Sequence, residues 1–175
     1  MNNTESHQKN GSRIKGSVLI VDDNPDNLRL LTEVLTEKGY KVRPAPSGSL
    51  ALKSVRSTLP DLILLDVKMP GMDGYEVCRR LKADKRTRDV PVIFISAMAE
   101  VADKIKGFGV GGVDYITKPF QHEEVLARVE THVSLSRMHK RLQQEVMERV
   151  RIEKELKKTH DELSQALSEL KRSQA

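Results

Sequence analysis

An α/β fold is what the sequence predicts: a five-stranded parallel sheet, doubly wound by helices on both faces and followed by one long C-terminal coiled-coil helix. Three observations carry it. From Ser17 onward, short aliphatic runs alternate with amphipathic segments at a regular pace, the pattern of βα units around a parallel sheet. The runs are apolar on both faces, which suits strands covered by helices on each side and not a one-sided antiparallel sheet. Finally, no proline or glycine occurs between Gln121 and Ser173, and leucine recurs there every seventh residue.

Taken in order, residues 1–16 are polar and without period and read as a flexible arm. The first strand is "SVLIV" (17–21). Asn24 then caps a helix that starts at Pro25, presents Leu28, Leu31 and Leu35 on one face and stops at Gly39. A weaker strand, "YKVRP" (40–44), precedes a helix through Leu52 and Val55, which either Ser47 or Ser49 can open. The third strand is "DLILL" (61–65), and its helix spans Gly74 to Ala83 through Val77 and Leu81. "PVIFI" (91–95) is the fourth strand, followed by a helix from about Ala97 to Phe108. That helix runs into "GFGVGG", where four glycines in six residues predict a loose end. "VDYIT" (113–117) is the fifth strand.

The last segment, 121–173, is helix five continuing into the coil, about 53 residues and roughly 80 Å at 1.5 Å per residue. Leu135, Leu142, Leu156, Leu163 and Leu170 keep the seven-residue repeat, and Arg149 takes the remaining place. The companion stripe changes side: Met138 and Ile152 follow a member of the series by three residues, Val146 and Leu167 by four. So long a helix needs its apolar stripe buried, and a second copy, parallel and in register, is the simplest cover. Residues 121–175 hold 11 Lys plus Arg and 10 Asp plus Glu, interspersed, which is a salt-bridged coil and not the basic block of a DNA-binding zipper.

Composition excludes several classes of function. The chain has 175 residues, 38% of them apolar, enough for one core plus an appendage. No apolar run approaches the ~18–20 residues of a membrane span, and "MNNTESHQKNGSRIKG" lacks the apolar centre of a signal peptide, so a cytoplasmic chain without a membrane segment is expected. One cysteine, Cys78, leaves no internal disulfide and no cysteine-based zinc site. The formal charge of +5 is modest and is not expected to be concentrated in one basic block that would point to nucleic acid. The histidines are scattered, and the turn after strand one, "DDNPDN", is acidic where a nucleotide site would need glycines.

The chemistry lies at the strand ends, because an open parallel sheet binds ligands outside the carboxyl edge of its strands. Strand one is followed by Asp22 and Asp23, strand three by Asp66, strand four by Ser96 and strand five by Lys118. Singly, these residues have ordinary roles as helix-start acids, a turn former, a helix cap and a surface lysine. Their joint placement at four strand ends gives them another. Three carboxylates in one small space require a counter-charge, and a hard dication taken through oxygen supplies it; Mg2+ suits a site with few carboxylates and several waters. A carboxylate beside a dication, an ammonium and a hydroxyl is set up to attack a phosphoryl group, which makes Asp66 a nucleophile, with Lys118 and Ser96 as the other catalytic groups. The product would be an acyl phosphate that water can hydrolyse again.

The motifs "VDDNPDN", "LILLDVKMPGMDGYEV", "PVIFISA" and "DYITKPF", in that order, resemble those of a bacterial response-regulator receiver domain over residues 17–128. The resemblance implies a flavodoxin-like sheet and a phosphorelay. A histidine kinase or phosphotransfer protein would be the partner, and the receiver would catalyse its own phosphorylation and dephosphorylation. It implies that Asp23 and Asp66 bind the metal directly, Asp22 mainly through water, and the backbone carbonyl of Lys68 as a further ligand. It also implies that Ser96 is the switch hydroxyl, Tyr115 the switch aromatic, Lys118 the phosphate-binding lysine before a usually cis Pro119, and Ala97 a position kept small for access. The sequence departs from the pattern at Gly112, where alanine is usual, and at Gly109, Pro44 and Pro46.

A receiver fused to a dimerising helix resembles the front end of a hybrid histidine kinase, with the output carried elsewhere. The alternative is a phosphorylation-controlled dimerisation or scaffold protein without enzymatic output.

Overall fold

The structure, a computed structural model, describes residues 14–97 and 101–174, apart from the side chains at 101 and 102. Most of the expected N-terminal arm and the first turn expected for the fourth helix lie outside the described residues. Among the described residues ten elements alternate strictly: β1 (Gly16–Val21), α1 (Pro25–Glu37), β2 (Tyr40–Ala45), α2 (Gly48–Ser57), β3 (Leu62–Asp66), α3 (Gly74–Ala83), β4 (Val92–Ser96), α4 (Val101–Gly109), β5 (Asp114–Thr117) and α5 (His122–Ser173). The strands form one parallel sheet in the order β2-β1-β3-β4-β5, so the topological switch point falls between β1 and β3.

Local chemistry fixes the helix starts. The Asn24 side chain accepts from the backbone N–H of Asp26 and Asn27 ahead of Pro25, and Ser47, not Ser49, caps α2 by accepting from Leu50 N–H at 3.3 Å. Asp73 caps α3 through Glu76 N–H at 2.7 Å. The third strand begins at Leu62, one residue later than the start expected at Asp61, whose carboxylate accepts from Ser17 N–H at 2.9 Å. At its other end the strand extends through Asp66, which pairs with Ile95. Pro44 stays in register with Ile20 because β2 is an edge strand, where a missing N–H is tolerated.

Burial on both faces is what the apolar strands require. Along β3, Ile63 and Leu65 face a core shared with Ala51 and Val55 of α2 and with Val77, Cys78 and Leu81 of α3. Leu62 and Leu64 face the other core, with Leu31 and Leu35 of α1 and Val125, Val129 and Val133 of α5. Each fully buried valine of that last set contributes on the order of 1.5–3 kcal/mol. The glycines after α4 have a packing role that their count alone does not reveal: a Cβ on Gly112 would lie 2.6 Å from the Phe94 ring and 3.0 Å from the Gly107 carbonyl oxygen.

By compactness the chain divides into Met1–Ser136 and Arg137–Ala175. Val129 and Val133 therefore belong to the first unit, although the sequence pattern ends the receiver at 128. The second unit is helical, its residues from 141 to 174 are all exposed, and it carries Arg149–Glu145, Arg151–Glu148 and Lys158–Glu162 ion pairs one turn apart. Such pairs contribute about 0.3–0.5 kcal/mol each. Among the described residues, no helix is long and apolar enough to cross a membrane.

Candidate phosphoacceptor site

The carboxyl edge of the sheet brings together the residues that the strand ends supply. Asp22, directly after β1, is buried, and both its oxygens are engaged. Oδ1 accepts from Asn24 N–H at 2.8 Å, and Oδ2 accepts from the Asn27 side-chain amide and from Lys118 Nζ, both at 2.9 Å. Asp66, the last residue of β3, is 6% exposed, with Oδ1 3.4 Å from the same Lys118 Nζ. Asp23 is exposed beside them. Asp22, Asp23 and Asp66 each offer an oxygen within 4.8 Å of the others.

Two local features hold Asp66 at that edge. Gly74 N–H donates to the Val67 carbonyl at 2.9 Å, and a Cβ on Gly74 would stand 2.2 Å from the Asp66 carbonyl oxygen, so only glycine lets α3 start this close to the strand end. On the far side, Lys118 N–H donates to the Ser96 carbonyl at 2.8 Å, which ties the Lys118 backbone to the end of β4, and the Lys118–Pro119 peptide is cis.

Electrostatics follow from this crowding. Burial pushes the Asp66 carboxyl above its ordinary value, the Lys118 cation opposes that shift, and Asp22 and Asp23 add to it. One lysine thus serves two buried carboxylates. The donor set is all oxygen, clustered and short of positive charge, which fits a hard dication.

Ser96 is buried at the end of β4. Tyr115 is also buried; it pairs with Phe94, and Ser96 pairs with Thr117, so strand alternation puts Ser96 and Tyr115 on one face of the sheet, one pleat apart. Lys68 stands two residues beyond Asp66 with an exposed side chain, and Ala97 follows Ser96 and is exposed.

Sequence reasoning passed over two participants. Asn27 holds Asp22 from the first turn of α1, and its only signal is its place in "DDNPDN". Tyr75 of α3 packs its ring 5.3 Å from that of Phe94, donates its hydroxyl to the Asp103 carbonyl of α4 at 3.2 Å and lies 4.5 Å below Lys106 Nζ. Burial, with Tyr115 and Asp103 nearby, pushes its phenol up to about 12, so it stays a neutral donor.

Comparison with known proteins agrees with this geometry. The family model of the response regulator receiver domain matches residues 18–130. The chain is 45% identical over 112 residues to the DNA-binding dual master transcriptional regulator RpaA of Synechocystis, covering 64% of this chain and 46% of that protein. It is 46% identical over 114 residues to the response regulator PleD of Caulobacter vibrioides, covering 65% and 25%. The chain therefore spans half or less of the length of these curated relatives. Among solved structures, a putative response regulator from Chloroflexus aurantiacus superposes with a TM-score of 0.66 at 38% identity, over 68% of this chain and 98% of that one. The signal receiver domain of a signal transduction histidine kinase from Syntrophus aciditrophicus gives 0.64 at 36% identity, over 68% and 90%.

Proposed function

The chain belongs to the response-regulator receiver family, and from that premise we propose that Asp66 accepts a phosphoryl group from the phosphohistidine of a histidine kinase or phosphotransfer protein. The observation that carries this reading is the shared lysine: Lys118 Nζ lies 2.9 Å from Asp22 and 3.4 Å from Asp66, at the strand edge where a ligand would enter. An Asp66 oxygen attacks phosphorus, the phosphorus–nitrogen bond to the donor imidazole breaks, and the donor histidine keeps the electron pair. Lys118 then moves its attraction from the Asp66 carboxylate to the phosphoryl oxygens, where charge gathers in the transition state. Ser96 offers its hydroxyl to another phosphoryl oxygen.

Asp22, Asp23 and Asp66, with the backbone carbonyl of Lys68, would hold Mg2+. When bound, the ion supplies charge neutralisation to the phosphoryl oxygens. Asn27 and Lys118 keep Asp22 oriented toward that position. Phosphorylation draws Ser96 toward the acyl phosphate, and Tyr115, on the same face, follows, which changes the surface of α4, β5 and α5.

We assign the long helix a role in passing that change on. Its leucines from Leu135 to Leu170 are more than half exposed in the single chain, which supports pairing with a second copy and transmission to an output elsewhere. The likeness to a receiver domain of a histidine kinase supports the front-end arrangement of a hybrid kinase.

Incubation with Mg2+ and acetyl phosphate tests the assignment. The wild-type chain should gain one base-labile phosphoryl group, read by intact mass, and Asp66→Asn should gain none. Stoichiometric labelling of the Asp66→Asn variant would sink the assignment of Asp66 as acceptor.

A further inference from the structure

The formal charge of +5 is unevenly placed. Contrary to the expectation that no part of the chain concentrates basic charge, six of the eleven residues from Arg79 to Asp89 are basic and two acidic. Folding adds a cation from another element: Arg56 of α2 and Arg80 of α3 line the same groove of about 310 Å³, with Leu52, Leu81 and Ala83 as its apolar surface. Arg79 and Arg80 share the Glu76 carboxylate, and Lys82 donates to the carbonyls of Arg88 and Val90 at 2.8 and 2.7 Å. Arg56, Lys85, Arg86 and Arg88 are exposed and form no ion pair among the described residues. Asp84 also lines the groove, but one of its oxygens is taken by Arg86 N–H at 2.9 Å.

The location separates this surface from the phosphoryl chemistry. The helices α2 and α3 cover the sheet face opposite α1 and α5. In a parallel sheet the end of α3 returns to the amino edge of the strands, the edge opposite Asp66. A partner seated here would compete neither with the donor of the phosphoryl group nor with α5.

We propose that the α2–α3 groove docks an acidic segment of a partner protein, which inserts an aliphatic side chain between Leu52 and Leu81 and sets carboxylates on Arg56, Arg80 and the cations of the α3–β4 connection. Arginine forks match carboxylates in two-point geometry, and a slot lined by the unpaired Arg56, with the unpaired Lys85, Arg86 and Arg88 in the connection that follows α3, selects a ligand that is acidic and carries an apolar anchor. Nucleic acid fits less well. It has no use for the aliphatic slot, and the groove offers no aromatic ring for base stacking.

The test uses the full chain, labelled with ¹⁵N, titrated at low salt with four synthetic probes of equal length. The first is a peptide of Glu and Asp flanking two leucines. In the second the leucines are serines, in the third the acids are lysines, and the fourth is a single-stranded oligonucleotide. The first peptide should shift the amides of residues 52–56 and 80–88 to saturation, and salt should weaken it. Arg56→Glu with Arg86→Glu, two exposed sites whose reversal should leave the circular dichroism spectrum unchanged, should weaken it at least tenfold. Asp66→Asn should bind as the wild type does, so this result stands apart from the phosphoacceptor assignment. Equal binding of the serine peptide or tighter binding of the oligonucleotide would overturn the proposal, as would shifts spread over the whole surface or none.

Discussion

Asp66 is held against its own preference. Burial and two neighbouring acids raise its carboxyl above the ordinary value, and Lys118 only partly offsets them. An acid whose folded value lies above its unfolded one is a cost at neutral pH, and the cost fades as pH falls through the folded value. Asp66→Asn should therefore stabilise the metal-free chain near neutral pH, by roughly 1 kcal/mol or a few degrees in Tm, and the gain should shrink in acid. Mg2+ should then raise the wild-type Tm more than that of the variant. Calorimetry in chelator and in Mg2+ checks both statements; an Asn variant that melts lower than wild type in chelator would contradict them. A second residue-scale expectation concerns Gly112, where the family pattern has alanine. The Phe94 ring occupies the place of the missing methyl, 2.6 Å from where a Cβ would stand. Gly112→Ala should cost about 1–3 kcal/mol by overpacking, and Phe94→Leu in the same chain should recover part of it. Urea titrations of the two single variants and the double variant measure the coupling, and strictly additive losses would show that the ring is not the obstacle.

At the scale of elements, α5 is seated by more than its valines. Arg128 Nη1 lies 2.6 Å from Asp114 Oδ1 and His132 Nε2 3.1 Å from Asp114 Oδ2, so one carboxylate at the start of β5 fastens two successive turns of the helix. Burial alone would push the Asp114 carboxyl up, but the bonds from Arg128, the Tyr115 backbone N–H and His132 together hold it below its ordinary value of 3.8. With the folded value depressed, the stabilisation is present above about 3.8 and lost as pH falls through the folded value. Asp114→Asn should thus destabilise the chain on the order of 1 kcal/mol at neutral pH and make no difference well below that window. Stability measured against pH for the two proteins should converge in acid, and a constant gap would contradict the sign. None of this clamp was legible in the sequence, because its members lie 14 and 18 residues apart on different elements and follow no period. What was legible is what repeats or punctuates: five strands apolar on both faces, Asn24 ahead of Pro25, and acids and a lysine at strand ends. The choice between Ser47 and Ser49 needed the actual position of the Leu50 amide. Asn27 and Tyr75 matter through neighbours that only folding supplies.

For the molecule as a whole, the question is what covers the long helix. Residues 141–174 are all exposed, and Leu142, Leu156, Leu163 and Leu170 are 58%, 68%, 59% and 57% accessible in a single chain. In proteins most helical stability comes from burying an apolar face, and intrahelical ion pairs of a few tenths of a kcal/mol each do not replace that burial. A second copy, parallel and in register, would set each leucine against its own equivalent across a two-fold axis. Arg149 falls on that seam, but its guanidinium reaches Glu145 at 2.7 Å within its own helix and need not be buried unpaired. The seam should therefore be weakest near 149, where the companion stripe also changes side, and a small rotation could pass there at low cost. Sedimentation of the full chain should give a dimer with or without beryllofluoride, a mimic of the bound phosphoryl group. A chain ending at Ser136 keeps Val129 and Val133 in the core and should sediment as a monomer. Leu142→Cys should form an interchain disulfide on mild oxidation, since a seam position near one end of the helical unit meets itself in the parallel, in-register pair and lies far from its equivalent in a fully overlapping antiparallel one. A tight dimer from the shortened chain would remove the coil as the association element, and failure of the Leu142→Cys variant to crosslink while the full chain stays dimeric would remove the parallel register.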